Sequence, residues 1–265
     1  MNSIKRIHCS SDQFIILGLM ELLRVEKLLG KSNKYGGEDE LLFHSGGPVT
    51  KKSSRSIIIG PSKFRFKAKQ PSNETLPKND YAVNPLEGSI RLGPEPPDLI
   101  WEVEEWNSNR WNFLQYSKGS SLSKSLTNLE DFLPDSDSTP GTICGAFAYD
   151  LCQWTQPWRL INPPKEGSLI GILFSMDRWI IHDREHGFLE VGGDSEDLWV
   201  NRVFEFIESI PDINRLKPNF PQNIPVSSSE ETSNFTDDEH IKNVIKVQNS
   251  IKSGELYQLN FGRKW

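Results

Sequence analysis

Short apolar runs of period two, divided by turn residues, predict an α+β fold that is mainly antiparallel sheet with flanking helices. Three observations carry that expectation. Phe64, Phe66 and Ala68 alternate with Lys63, Arg65 and Lys67, the pattern of a half-buried strand with its basic side chains on the wet face. Four apolar segments (Gly145–Asp150, Leu169–Met176, Arg178–His182 and Phe188–Val191) follow one another closely, and Asp183–Gly187 between the last two has hairpin length. Helical periodicity is confined to a few separate stretches.

The first helix is expected in the apolar run from Phe14 to Met20, continuing to about Leu29 and stopped by Gly30. Lys5 and Arg6 precede that run, but Glu21 and Arg24 interrupt it and no small-residue cleavage site follows. It is also shorter than the roughly 20 apolar residues that a membrane span needs. Arg55–Ile59, closed by Gly60 and Pro61, reads as a strand that a turn joins to the Phe64 strand as its neighbour. Residues 70–98, rich in Pro, Asn and Gly, read as irregular surface. Ser195–Ile210 is expected to be helical, with Leu198, Val203, Phe206, Ile207 and Ile210 near one face.

Proline-rich residues 211–235 separate a domain over 1–210 from the opening of a second over 236–265. Thr236-Asp237-Asp238-Glu239 is a capping box; Ile241, Val244, Ile245 and Ile251 follow at helical spacing, and Gly254 stands where a left-handed stop is wanted. Tyr257, Leu259 and Phe261 then alternate with Gln258, Asn260 and Gly262, which predicts a strand.

With 265 residues, 36% hydrophobic and 25% charged, the chain has the composition of a folded protein and not of a disordered one. A net charge of −6 argues against nucleic acid as the main partner. Cys9, Cys144 and Cys152 lack zinc-ligand spacing, leaving no metal site and reduced thiols in a cytoplasmic protein as the simplest expectation. His8, His182, His186 and His240 form no ligand pattern and read as surface residues. Asp150 reads as a strand-end acid, and the tryptophans at 101, 106, 111, 154, 158 and 179 as packing residues.

Three segments, in this order, resemble the component I family of chorismate enzymes. Leu41-Leu42-Phe43-His44-Ser45-Gly46, followed by Ser54-Arg55, is similar to the family's leucine-polar-serine segment and the arginine-containing strand after it. Gly145-Ala146-Phe147-Ala148-Tyr149-Asp150 is similar to its glycine-rich strand ending in Tyr-Asp. Ser253-Gly254-Glu255-Leu256-Tyr257-Gln258-Leu259-Asn260-Phe261 resembles the passage into its chorismate-binding domain. The likeness spans roughly residues 41–265. His44-Ser45 and Tyr257-Gln258 look more like the aminodeoxychorismate branch, which serves folate and para-aminobenzoate synthesis. The anthranilate branch usually has Glu-Ser and often Phe-Gln there.

The resemblance implies an anthranilate synthase component I N-terminal-like domain, followed by the first helix and strand of a chorismate-binding domain. It implies Mg²⁺ as the cofactor of the complete enzyme, chorismate as substrate and a glutamine amidotransferase subunit as partner, with neither nucleic acid nor membrane involved. It also implies a tryptophan or effector pocket to which Ser45, Arg55 and Tyr257 would contribute, and an active-site contact at Gln258. A neutral amide at Gln258 can orient a ligand but cannot act as a base. The family's nucleophilic lysine, in a Pro-Ile-Lys-Gly-Thr run, and its Mg²⁺-binding glutamates have no counterpart in these residues, so this chain is expected to be inactive by itself. An anthranilate synthase fragment, or a non-catalytic module that binds a small molecule or a subunit, stays open as an alternative.

Overall fold

The computed structural model describes residues 2–71, 97–134, 139–155, 164–219, 233–259 and 262. The expected irregular segment 70–98 lies mostly outside the described residues, as do Trp158, Asn260 and Phe261. The chain divides into two compact units, Met1–Asn219 and Phe220–Trp265.

The first unit holds two antiparallel five-stranded sheets with several helices, an α+β fold. One sheet is built from β1 (Asn2–His8), β2 (Leu41–Phe43), β3 (Arg55–Ile59), β9 (Trp179–Asp183) and β10 (Phe188–Asp194), in the order β1-β10-β9-β3-β2. Alternation gives it two apolar faces. Ile58, Ile180, Leu189 and Val191 pack with helices α1 (Ile15–Val25) and α3 (Leu198–Ser209), while Ile59, Trp179 and Ile181 cluster with Met176.

Helix α1 ends at Val25, earlier than the sequence suggests. Lys27 takes a left-handed φ of 57°, and its N–H reaches the Arg24 carbonyl at 3.1 Å while the Leu28 N–H reaches that of Leu23 at 2.8 Å. This double closure is a Schellman stop, sealed by the buried pair Leu23 and Leu28, and it overrides the apolar periodicity that runs on to Leu29. Lys27→Gly is expected to raise stability by about 0.5–1 kcal/mol by removing a Cβ from a left-handed position, measurable as a higher urea midpoint.

Helix α3 is capped by Asp197, whose carboxylate accepts the Trp199 N–H at 2.8 Å. Its buried face is Trp199, Val200, Val203 and Ile207, with Phe206 and Ile210 partly covered. Leu198, expected on that face, is 74% exposed, because Asp197 is the cap and leaves Leu198 as the first helical position, three residues after the expected start and turned outward.

Strands β3 and β4 (Phe64–Lys69) are not partners, contrary to the sequence expectation. β3 is held on both edges by β2 and β9, so the chain leaves at Gly60 for the other sheet. Gly60 donates to the Arg178 carbonyl at 2.9 Å, and the buried Arg178 holds the Pro61 carbonyl and, at 2.7 Å, the Asp197 carboxylate. A side chain at Gly60 would meet Arg178 and Trp199, so only glycine fits this crossing.

The second sheet adds β5 (Leu99–Asn107), β6 (Arg110–Gly119), β7 (Ile143–Phe147) and β8 (Leu169–Ser175), in the order β6-β5-β4-β8-β7. Phe66, Ala68, Leu99, Trp101, Val103 and Leu173 form its buried face, covered by α2 (Leu122–Thr127), Leu129 and a 3₁₀ turn over Tyr149–Trp154. The opposite face carries the basic residues of β4, as the alternation predicts, but only Lys69 is exposed to water; Arg65 and Lys67 are largely covered. All three are laced to β5 by Arg65–Glu104 (2.7 Å), Lys67–Glu104 (2.7 Å) and Lys69–Glu102 (2.9 Å).

The first unit extends past the expected boundary at 210. Asp212 caps a 3₁₀ turn at Ile213–Arg215, and Ile213 is buried in the same core as α1, so residues 211–219 belong to the first unit. Residues 220–232 of the expected linker lie outside the described residues.

The second unit contains α4 (Asp237–Lys252), opened by the expected capping box. Thr236 Oγ1 accepts the Glu239 N–H at 3.3 Å, and the Glu239 carboxylate accepts the Thr236 N–H at 2.9 Å. Gly254, at φ 78°, closes the helix, with its N–H on the Ile251 carbonyl at 3.1 Å and the Glu255 N–H on that of Ser250 at 3.0 Å. The expected strand from Tyr257 does not form over the described residues 255–259. A strand is held by ladder bonds to a neighbour, and none pairs with this segment among the described residues.

Candidate functional site

Ser45 and Arg55 both lie at one end of the first sheet, where β2 has ended and β3 begins. Arg55 is paired across the ladder with Asp183 of β9, and its Nε donates to Asp183 Oδ2 at 2.9 Å. Ser56, next along β3, pairs with His182 and faces the opposite side of the sheet. The Ser45 N–H donates to Ser56 Oγ at 2.9 Å, and His44 Nδ1 lies 3.4 Å from the same oxygen.

Arg184, only 6% exposed, fastens this end of the sheet. Its guanidinium donates to the carbonyls of Ser11 (3.0 Å), Ser45 (2.8 Å) and Gly47 (2.7 Å). Its own carbonyl accepts from Ser11 Oγ at 2.6 Å, and its N–H donates to Ser54 at 2.8 Å. The charge of Arg184 is therefore spent on backbone oxygens and offers nothing to an anion. Ser45 has both backbone groups engaged while its hydroxyl makes no bond among the described residues. Arg55 likewise keeps the outer edge of its guanidinium unpaired among the described residues, and its side chain is largely exposed. Ser45 is thus held through Ser56 and Arg184, whereas Arg55 is held by Asp183 on the other side of β3, and no contact joins the two side chains among the described residues.

Asp183 is fully buried and accepts four bonds: the N–H groups of Glu185 and His186, the His186 ring at 3.0 Å, and Arg55. Burial pushes its carboxyl up, but the bonds from His186 and the bond and charge of Arg55 outweigh it and hold the pKa below the usual range.

His182 is also fully buried, whereas the sequence gives it no reason to leave the surface. It sits on β9 between β10 and β3, so its side chain has no exposed edge to reach. Nε2 donates to the Ser10 carbonyl at 2.9 Å, and Nδ1 is buried with no partner. Burial is the largest influence and lowers its pKa; Arg184 acts the same way, against the Ser10 bond and the charges of Asp12 and Asp183.

Because the folded His182 resists its proton, the unfolded chain takes it up first as pH falls past the ordinary value of 6.5. Stability tied to His182 is thus complete above that value and lost below it. The contribution of Asp183 is present above its ordinary 3.8 and lost only as pH falls through its lower folded value. Urea midpoints are expected to fall between about pH 7.5 and pH 5.5, and less so in His182→Gln. An equal decline in both proteins would remove His182 from the explanation.

Tyr257 and Gln258 belong to the second unit, on the coil that follows Gly254. Tyr257 is 97% exposed and Gln258 is exposed as well. Among the described residues, no group of three His, Cys, Asp or Glu could hold a metal ion, and no helix is long and apolar enough to cross a membrane. Sequence reading missed Ser56, His182, Asp183 and Arg184. The only signal they carried was Asp183-Arg184 at the mouth of a hairpin, which fits an ordinary turn equally well.

The chain matches no protein-family model and no curated protein. The resemblance stands on its three motifs alone.

Proposed function

We propose that the chain is the N-terminal portion of a cytoplasmic chorismate-aminating synthase, forming 4-amino-4-deoxychorismate for folate synthesis and inactive by itself. The observation that carries this reading is the segment Gly254-Glu255-Leu256-Tyr257-Gln258. It follows a helix with a complete capping box and a left-handed glycine stop, and its Gly-acid-x-Tyr-Gln order is what resembles the family's entry into its chorismate-binding domain. The second support is the likeness of His44-Ser45-Gly46 and Ser54-Arg55 to the family's N-terminal segment.

Chorismate is a dicarboxylate with a poor leaving hydroxyl, so its amination needs charge neutralisation and a nucleophile at the ring. The residues present fit neither task. The family's glutamates for Mg²⁺ and its Pro-Ile-Lys-Gly-Thr lysine have no counterpart here, so no step is assigned to the ion. Gln258 would orient ligand through a neutral amide, and an amidotransferase subunit would supply ammonia in the assembled enzyme.

The purified chain, given chorismate, Mg²⁺ and ammonia, is expected to form neither aminodeoxychorismate nor anthranilate by liquid chromatography. Either product from the pure chain would contradict the reading.

A further inference from the structure

A recess lies in the first unit, on the sheet that does not carry Ser45 and Arg55, along β4, β5 and β6. Its volume is about 230 Å³, smaller than the roughly 300–1,000 Å³ of drug-sized sites, so it suits a small ligand. Its lining combines two aromatic rings, Tyr116 and Trp154, with Asp98, Glu102, Glu166 and Gln70.

Gln70 is the decisive residue. It is only 2% exposed, and its backbone is fixed by bonds to Ser168 (2.8 Å) and Gly167 (2.9 Å). Its Oε1 accepts from Gln153 at 3.4 Å, but its Nε2 is buried with no partner. A buried amide donor left empty is costly, and such a group in a recess marks where an acceptor from outside would be bound.

The charge of the recess names the rest of the ligand. Among the described residues of the lining Lys69 is the only cation and is bound to Glu102 at 2.9 Å, whereas Asp98 and Glu166 have no partner among the described residues. The indole N–H of Trp154 is already occupied by the Pro97 carbonyl at 2.8 Å, which fixes the ring that the ligand would meet. Aromatic rings beside unpaired carboxylates favour an organic ammonium.

We infer that this recess binds a small organic amine carrying an oxygen acceptor, with the ammonium held by the carboxylates and rings and the oxygen by Gln70 Nε2. This inference does not depend on the proposed chorismate function.

The test is calorimetric titration of the whole chain with three probes: phenylethanolamine, phenethylamine (which lacks the hydroxyl) and phenylethanol (which lacks the amine). Phenylethanolamine is expected to saturate, with phenethylamine about threefold weaker and phenylethanol at least about tenfold weaker. Gln70→Met should erase the difference between the two amines and raise the Tm of the free protein, since it removes the orphaned donor. Glu166→Gln combined with Asp98→Asn, both at exposed positions, should narrow the preference over phenylethanol. Equal binding of phenylethanol, absence of saturation, or an undiminished hydroxyl preference in Gln70→Met would each overturn the inference.

Discussion

Arg184→Ala is expected to destabilise the first unit by about 3 kcal/mol, seen as a large fall in urea midpoint. Hydrogen bonds to charged groups contribute roughly 1.5–3 kcal/mol each, and this guanidinium makes three, to Ser11, Ser45 and Gly47. The sum is not recovered in full, because taking the charge out of water opposes it. What truncation loses beyond the bonds is organisation. The loop before α1 and the segment after β2 are both tied to the β9–β10 turn by this side chain, and Ser45 would keep only its bond to Ser56. Arg184→Lys should rescue little, since an ammonium cannot span three carbonyls in a planar fork. A loss below about 1 kcal/mol, the level of an ordinary surface contact, would mean that the segment is held by other means.

Trp101→Ala should cost the second sheet about 3–5 kcal/mol, the range for deleting a fully buried aromatic. Trp101 is completely buried in β5, and its indole N–H donates to Ser125 Oγ at 3.0 Å, joining the sheet to α2. Gly171 on β8 leaves room for the ring, since a Cβ there would stand 2.8 Å from it. Trp101→Phe is expected to cost less, about 1–3 kcal/mol. It keeps most of the apolar volume, and the Ser125 hydroxyl still donates to the Leu122 carbonyl at 2.8 Å. If alanine and phenylalanine were equally damaging in chemical denaturation, the hydrogen bond and not the packed volume would be the stabilising part.

The fold class was legible because local chemistry and tertiary structure agree over β4, β8, the β9–β10 hairpin and α4. The capping box at Thr236 and the stop at Gly254 are set by short-range bonds that any surroundings would permit. Pairing was not legible. Arg55–Ile59 and Phe64–Lys69 read as neighbours, but partners of a strand are chosen by the whole sheet, and β3 was already filled on both edges. The β5–β6 hairpin was overlooked because Ser108 and Asn109, both left-handed at φ 54° and 62°, do not advertise a tight turn as Asn-Gly would. β1 was overlooked too, because Ile4 and Ile7 stand three apart on opposite faces, one exposed and one against the core, so no alternation marks the strand.

For the site, Ser45 and Arg55 came from resemblance and not from pattern. The structure holds Ser45 through Ser56 and Arg184 and holds Arg55 through Asp183, three residues which sequence reading passed over. Buried polar residues at strand ends look like surface residues in a sequence, because their burial depends on segments far away in the chain. Ser10 and Ser11, which contact His182 and Arg184, lie more than 170 positions from them.

The most direct test of the proposed function is to recover the protein from its source cells under non-denaturing conditions and assay it with chorismate, glutamine and Mg²⁺. The proposal predicts aminodeoxychorismate from the native material and none from the purified chain alone. Native material that leaves chorismate unconsumed, or that converts it to anthranilate, would contradict it.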